Sequence, residues 1–438
     1  MSRKSVLGAF CSGNGALETT TRRIACRQQQ HQRTFTSTAS RPATHITHFT
    51  PTSSEKLDTL LNTIRHKIIL PAYLPAKQRK IIYSPKHEKK LQSDPITIEI
   101  DGEVLKFRHM DPFQGDIPAA RKSLIDAVSQ FDAPEDFANL KPLLEGVHYT
   151  KYRLDPSVYA KIVRICGARG RIYQALECAR AARTTGLRLD TSEKANEALH
   201  FVQLKALDAD YDPAETARAL RWADRVIDML ADPQHQPTRR KKAVRLVRGQ
   251  HPLDRDPQVL LARLHLAAAL AKNPPEAAEE AAEAEVEDKA AATAAAAVAR
   301  IGRGALVQRV GEYAHTIVKL WPRTGDSEEG EPKKLRDLQP SELYEDENQM
   351  GYLLEANKFV TLAAPLLRGL DLAAEVLRSE ADDKSAYAAL AGQLEARRAV
   401  LDVEIQGARK SMSMKPKGSG EPMRGEEMYK RLFGQPGQ

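Results

Sequence analysis

The chain has 438 residues, with 66 Lys and Arg against 58 Asp and Glu, 42% apolar residues and 5% aromatic residues. No stretch approaches eighteen apolar residues, which excludes a membrane-crossing helix, and four cysteines are too few for a disulfide-stapled scaffold. Low aromatic content with abundant alanine points to helices rather than to a sandwich or barrel.

The net charge of +8 is unevenly placed. Residues 1–54 carry Arg3, Lys4, Arg22, Arg23, Arg27, Arg33 and Arg41 against Glu18, which accounts for six of those charges and leaves +2 for residues 55–438. This leader is rich in Arg, Ser and Thr and lacks the apolar core of a secretory signal, the composition of a mitochondrial transit peptide. The run Arg33-Thr34-Phe35-Thr36-Ser37-Thr38 resembles a matrix-processing pattern. A transit peptide over 1–42 and a mitochondrial matrix location are therefore expected. Cleavage there would remove Cys11 and Cys26 and leave Cys166 and Cys178.

Residues 43–94 read as an extended basic arm. Between 60 and 91, Arg65, Lys67, Lys77, Arg79, Lys80, Lys86, Lys89 and Lys90 face the single acid Glu88. Pro71, Pro75 and Pro85 forbid one continuous helix, and Tyr73 and Tyr83 are interleaved. Such a strap suits RNA phosphates, with Lys77, Arg79, Lys80, Lys86, Lys89 and Lys90 as the contacts. A solvated connector is the alternative.

Residues 95–110 predict a β-hairpin. Ile96, Ile98 and Ile100 alternate with polar residues, Asp101-Gly102 supplies a type I′ turn, and Leu105 and Phe107 alternate in return. Ile98 should face Leu105 and Ile96 should face Phe107.

Residues 111–275 have helical periodicity. Within 154–190, Ile162, Val163 and Cys166 make one apolar stripe and Ala175, Leu176, Ala179 and Ala182 another. Gly167 and Gly170 interrupt between them, and Gly186 stands where a helix wants a left-handed end. Tyr159, Gly170-Arg171, Gln174-Ala175-Leu176-Glu177 and Gly186-Leu187-Arg188-Leu189-Asp190 resemble a pentatricopeptide repeat over 156–190. Leu154-Asp155 recurs as Leu189-Asp190 at that family's period. The resemblance implies an α-solenoid of helical hairpins in which two positions, here Ala160 and Asp190, select an RNA base. Ala160 offers no hydrogen bond, so a scaffold for protein or structured RNA is expected ahead of a base-by-base reader.

Further on, Arg239, Arg240, Lys241, Lys242, Arg245 and Arg248 form an acid-free run, a second set of expected phosphate contacts. Val259, Leu260, Leu264, Leu266 and Leu270 predict a helix over 257–272. Residues 276–303 are an Ala/Glu low-complexity helix. Residues 304–407 contain C-terminal helices at 304–321, 346–379 and 384–407, with a charged surface loop at 324–343. The tail 408–438 is expected to be flexible, with Tyr429 and Phe433 as anchors on a partner.

No phosphate-cradling GxxxxGK[ST], HExxH, CxxC or GxSxG motif occurs. A non-enzymatic protein without cofactor, metal or small-molecule substrate is expected. The fold expected is mainly α, a solenoid of degenerate helical-hairpin repeats with one N-terminal β-hairpin and extended basic arms. Basic arms on a nearly neutral body suit a structural or accessory component of the mitochondrial ribosome, touching ribosomal RNA and ribosomal proteins. A mitochondrial mRNA-binding translation or RNA-stability factor and a respiratory-complex assembly factor are the alternatives.

Overall fold

The structure, a computed structural model, describes residues 46–112, 115–236, 252–274, 302–324, 330–338, 355–380, 386–413 and 423–434. The expected transit peptide, most of the Ala/Glu segment and the basic run at 239–248 lie outside these residues.

Helix α1 (Glu55–Ile64) carries Leu57, Leu61 and Ile64 on one buried stripe. A π-helical turn (Arg65–Ile69) and a 3-10 turn (Leu70–Tyr73) continue it. Pro75 then leads into α2 (Ala76–Ile82), and Pro85 opens a 3-10 turn before α3 (Glu88–Ser93). The described part of 43–94 is thus a chain of short helices rather than an extended arm. The prolines break the helix as expected, but Leu70, Leu74, Ile82 and Leu91 supply apolar surface that an extended arm would leave in water. With Ile46 they form a small core against Leu105 and Phe107.

Those last two belong to the hairpin of β1 (Ile96–Ile100) and β2 (Glu103–Phe107), the one sheet among the described residues. Its register pairs Ile96 with Phe107 and Ile98 with Leu105, as the alternation predicts. Asp101 and Gly102 take φ of 51° and 79°, the left-handed pair of a type I′ turn. A two-stranded hairpin needs a surface to pack on, and the short helices provide it. The Met110 amide donates to the Ile82 carbonyl at 3.0 Å.

The body follows with α4 (Ala120–Gln130), α5 (Pro134–Ala138), α6 (Leu140–Tyr149), α7 (Pro156–Ala168), α8 (Ile172–Arg180) and the single turn α9 (Ala182–Thr185). Then come α10 (Ser192–Asp208), α11 (Pro213–Ala231), α12 (Pro257–Lys272), α13 (Gly302–Leu320), α14 (Ala356–Ser379), α15 (Ala386–Ser413) and α16 (Arg424–Phe433). Neighbours pack as hairpins: α7 on α8, α10 on α11, α14 on α15. Helix α12 occupies the predicted span and touches α10, α11, α13 and α14. From Pro257 to Ala271 only Arg263 escapes burial, which explains its apolar residues all round rather than on one stripe.

Gly170 (φ 68°) and Gly186 (φ 73°) hold the left-handed turns expected of them. Gly167 does not: it lies inside α7, where a β-carbon would fall 2.1 Å from Cγ of Phe201 on α10. At the crossing of α12 and α14, a β-carbon on Gly369 would fall 2.9 Å from His265 Cα. His265 is fully buried, and its Nδ1 and Nε2 each lie 2.9 Å from Gln203 Nε2 and Tyr211 Oη respectively. The Gln203 amide nitrogen can only donate, so Nδ1 accepts and Nε2–H donates to the tyrosine. The imidazole is neutral, and burial drives its pKa down to about 3.

The C-terminal expectations need two corrections. The described parts of the 324–343 loop are tied down rather than free on the surface: buried Trp321 donates from Nε1 to the Lys333 carbonyl at 2.7 Å, and Leu335 and Leu338 are buried. The tail is also partly folded, since α15 runs to Ser413 and α16 packs on α14. Tyr429 and Phe433 anchor α16 to the chain's own core. Arg409 lies 3.9 Å over the Tyr429 ring and pairs with Glu426 through both carboxylate oxygens. Gly425 lets α16 begin against Asn357, whose Oδ1 accepts from its amide at 2.8 Å.

Candidate nucleic-acid interface

The N-terminal helices and hairpin orient a cationic face. Arg65 is the buried cation beneath it: Nε donates to the Thr47 carbonyl at 2.8 Å and Nη2 meets Glu103 at 2.6 Å. That hydrogen bond, more than any other influence, holds the Glu103 carboxyl below its ordinary range. Arg79 also turns inward, donating from Nη2 to the carbonyls of Ala72 (2.9 Å) and Leu74 (3.0 Å) and so closing the turn into α2. It serves that turn first, whatever else it touches.

The remaining five of this set are different. Lys77, Lys80, Lys86, Lys89 and Lys90 are all exposed. Among the described residues none of them has a carboxylate within ion-pair reach. Ile82 and Leu91 fix the inner faces of α2 and α3, which sends these lysines outward. The interleaved tyrosines do not join them as stacking platforms. Tyr73 stacks on Tyr149 with centroids 4.4 Å apart, and Tyr83 packs against the small core, where burial raises its pKa.

Arg239, Arg240, Lys241, Lys242, Arg245 and Arg248 lie outside the described residues. Their flanks are anchored. Before them, Gln236 donates from Nε2 to the Leu230 carbonyl at 2.8 Å, and His235 Nδ1 accepts from the Leu189 amide at 3.0 Å. After them, the 3-10 turn Leu253–Arg255 packs on α11 and α12.

The two base-selecting positions implied by the repeat resemblance are not presented as such a pair. Ala160 is buried in α7, and the Asp190 carboxylate is engaged by Lys194. Charged residues that sequence reading passed over sit at the junction of α7, α10 and α14. There Arg164 meets Glu197 at 2.5 Å, and Lys358 meets both Glu193 and Glu197, the latter at 3.2 Å. Two cations and two anions balance, so this junction locks helices together and leaves no net charge for a ligand.

Cys166 and Cys178 are buried and unbonded, and burial pushes both thiols up, Cys178 to about 12. They are packing residues rather than nucleophiles. Among the described residues no His, Cys, Asp and Glu group is arranged to hold a metal ion, and no helix is long and apolar enough to cross a membrane.

Comparison with known proteins gives two concordant matches. A family profile described as "Mitochondrial ribosomal protein mS27" matches residues 33–293 and 289–431. The small ribosomal subunit protein mS27 of Neurospora crassa is 32% identical over 407 residues, which cover 92% of this chain and 93% of its own.

Proposed function

The chain belongs to the mitochondrial ribosomal protein mS27 family, and from that premise we propose that it is a non-catalytic structural constituent of the small subunit of the mitochondrial ribosome. The carrying observation is the correspondence with the Neurospora crassa small-subunit protein along nearly the whole of both chains. A leader of transit-peptide composition supports import into the matrix.

The lysine face says how the protein is held. Five exposed ammonium groups without carboxylate partners among the described residues suit phosphate contacts that position rather than read sequence. Arg239, Arg240, Lys241, Lys242, Arg245 and Arg248 are assigned the same role from their sequence. The stacked hairpins α7–α8 and α10–α11 support a degenerate, pentatricopeptide-like solenoid used as a scaffold for ribosomal protein and RNA. Burial of Ala160 and engagement of Asp190 favour that use over reading of messenger bases.

The test replaces Lys77, Lys80, Lys86, Lys89 and Lys90 together by Gln in the tagged full chain and follows its cosedimentation with small subunits at rising salt. Each lost phosphate contact removes about 0.7–0.9 from the salt slope, so the variant should dissociate at distinctly lower salt than the parent. Identical salt profiles would overturn the assignment of this face.

A further inference from the structure

The loop edge of the α6–α11 region carries a second cationic surface that no run of charge in the sequence announces. Three connections converge there. The α6–α7 turn contributes Lys151, Tyr152 and Arg153, all exposed, with Tyr152 at 49% exposure. The single turn α9 contributes Arg183 and the connection after it Arg188, both exposed. The 3-10 turn Pro233–His235 closes the group from the end of α11.

Their proximity rests on contacts. The His148 imidazole lies so close to Gly186 that a β-carbon there would sit 2.5 Å from Nδ1. Lys151 stands in a left-handed conformation (φ 60°), its amide donating to the His148 carbonyl at 3.0 Å. The Leu189 amide donates to His235. Burial first, and then Arg188, holds His148 below its ordinary range. Arg188 also bears on Tyr159 and His235.

Two of the acids at this edge are paired with cations, and two, Glu145 and Asp232, accept only from neutral donors and keep their charge. Glu145 accepts from the Thr184 hydroxyl, Asp155 pairs with Arg121, Asp190 with Lys194, and Asp232 accepts from the backbone and side chain of Gln234. Lys151, Arg153, Arg183 and Arg188 have no carboxylate partner among the described residues. Four such cations against the two carboxylates not paired with a cation leave this edge a net positive charge that attracts an anion. Aromatic residues and Arg are favoured at protein interfaces too; what favours a polyanion here is four cationic groups with no carboxylate partner among the described residues, on the turns that also carry exposed Tyr152.

We propose that this edge is an RNA-binding surface, with Arg183 and Arg188 on backbone phosphates and Tyr152 stacking on an unpaired base. Its residues are distinct from the lysines of α2 and α3, and it deepens the ribosomal reading by giving the body its own nucleic-acid contact.

The test compares the full chain with Arg183→Glu/Arg188→Glu and with the milder Arg183→Gln/Arg188→Gln. Binding of a short fluorescein-labelled RNA stem-loop is followed by anisotropy across a salt series, with circular dichroism confirming the fold. Charge reversal should weaken binding by about tenfold or more and lower the salt slope by about 1.5, the worth of two phosphate contacts, with the Gln variant intermediate. Unchanged affinity and slope in both variants, or no binding by the parent chain at low salt, overturns the inference. RNA binding retained alongside lost cosedimentation with the subunit also overturns it and makes the edge a protein contact. RNA binding through this edge by a chain that never joins a ribosomal subunit would sink the ribosomal reading and leave the inference standing.

Discussion

Asp136 is the residue on which the attachment of the N-terminal segment turns, and Asp136→Asn is the cleanest perturbation of it. The side chain is completely buried. Oδ1 accepts from the Ser53 amide at 2.8 Å, while Oδ2 accepts from the Ser53 hydroxyl at 2.8 Å and from the amides of Asp132 and Ala133 at 3.0 Å each. Burial alone would raise its pKa, but the Ser53, Asp132 and Ala133 donors together pull it below the ordinary carboxylate range. Asparagine keeps the shape. Its best orientation leaves the oxygen with three donors and turns the NH2 group towards the Ser53 amide, which loses its acceptor. Three charge-assisted bonds become neutral and one buried N–H is orphaned, offset by no longer burying a charge, for a net cost of about 2–4 kcal/mol. The effect should be local. Asn139 still holds Thr50 through bonds of 2.8 and 3.0 Å, so hydrogen exchange should accelerate at Ser53, Asp132 and Ala133 before it does in α12. The pH dependence has a definite sign. A folded-state pKa below the unfolded value near 3.9 gives stability that is present above about pH 4 and lost as pH falls through the folded value. The gap between parent and variant should therefore close in strong acid. Equal urea midpoints and equal Ser53 exchange at neutral pH would refute the reasoning.

Three further outcomes follow from the same structure. Gly167→Ala places a methyl group against the Phe201 ring and should cost about 2–3 kcal/mol, whereas Gly170→Ala meets open space and only backbone strain of about 1–2 kcal/mol; paired denaturation curves check the order. Arg397→Met removes donors to the Val318, Trp321 and Gln393 carbonyls and should destabilise by about 2–4 kcal/mol, read as a lowered denaturation midpoint and faster exchange at the end of α13. His200 and His265 are both driven to about 3, chiefly by burial. Their contribution is complete above the unfolded value near 6.5 and falls as pH drops, by up to about 1.4 kcal/mol per unit for each; urea titrations from neutral to mildly acidic pH should show that slope, and His265→Gln should flatten it.

What could be read from sequence was local. The hairpin register followed from alternation and Asp101-Gly102, and α12 from the apolar residues Val259, Leu260, Leu264, Leu266 and Leu270. Gly186 was recognisable as a helix end because its place in the pattern demanded a left-handed residue. What escaped depended on partners distant in the chain. Leu70, Leu74, Ile82 and Leu91 look sparse among lysines until Leu105 and Phe107 complete their core. Gly167 reads as a turn residue until Phe201 is seen against it. Tyr429 and Phe433 look unattached until Arg409 and Gln406 are placed beside them. At the candidate site, the outward lysines were legible as a charge run, but Arg79 was not separable from them, because its task is set by the Ala72 and Leu74 carbonyls. The edge holding Lys151, Arg183 and Arg188 is assembled from three separate turns, so no window of sequence contains it.

The most direct measurement of the central claim is sedimentation of the tagged full-length chain from a mitochondrial lysate, with and without magnesium chelation. Quantitative comigration with the small subunit is expected, retained at moderate salt after the subunits separate. Protein remaining at the top of the gradient, or following the large subunit, would contradict it.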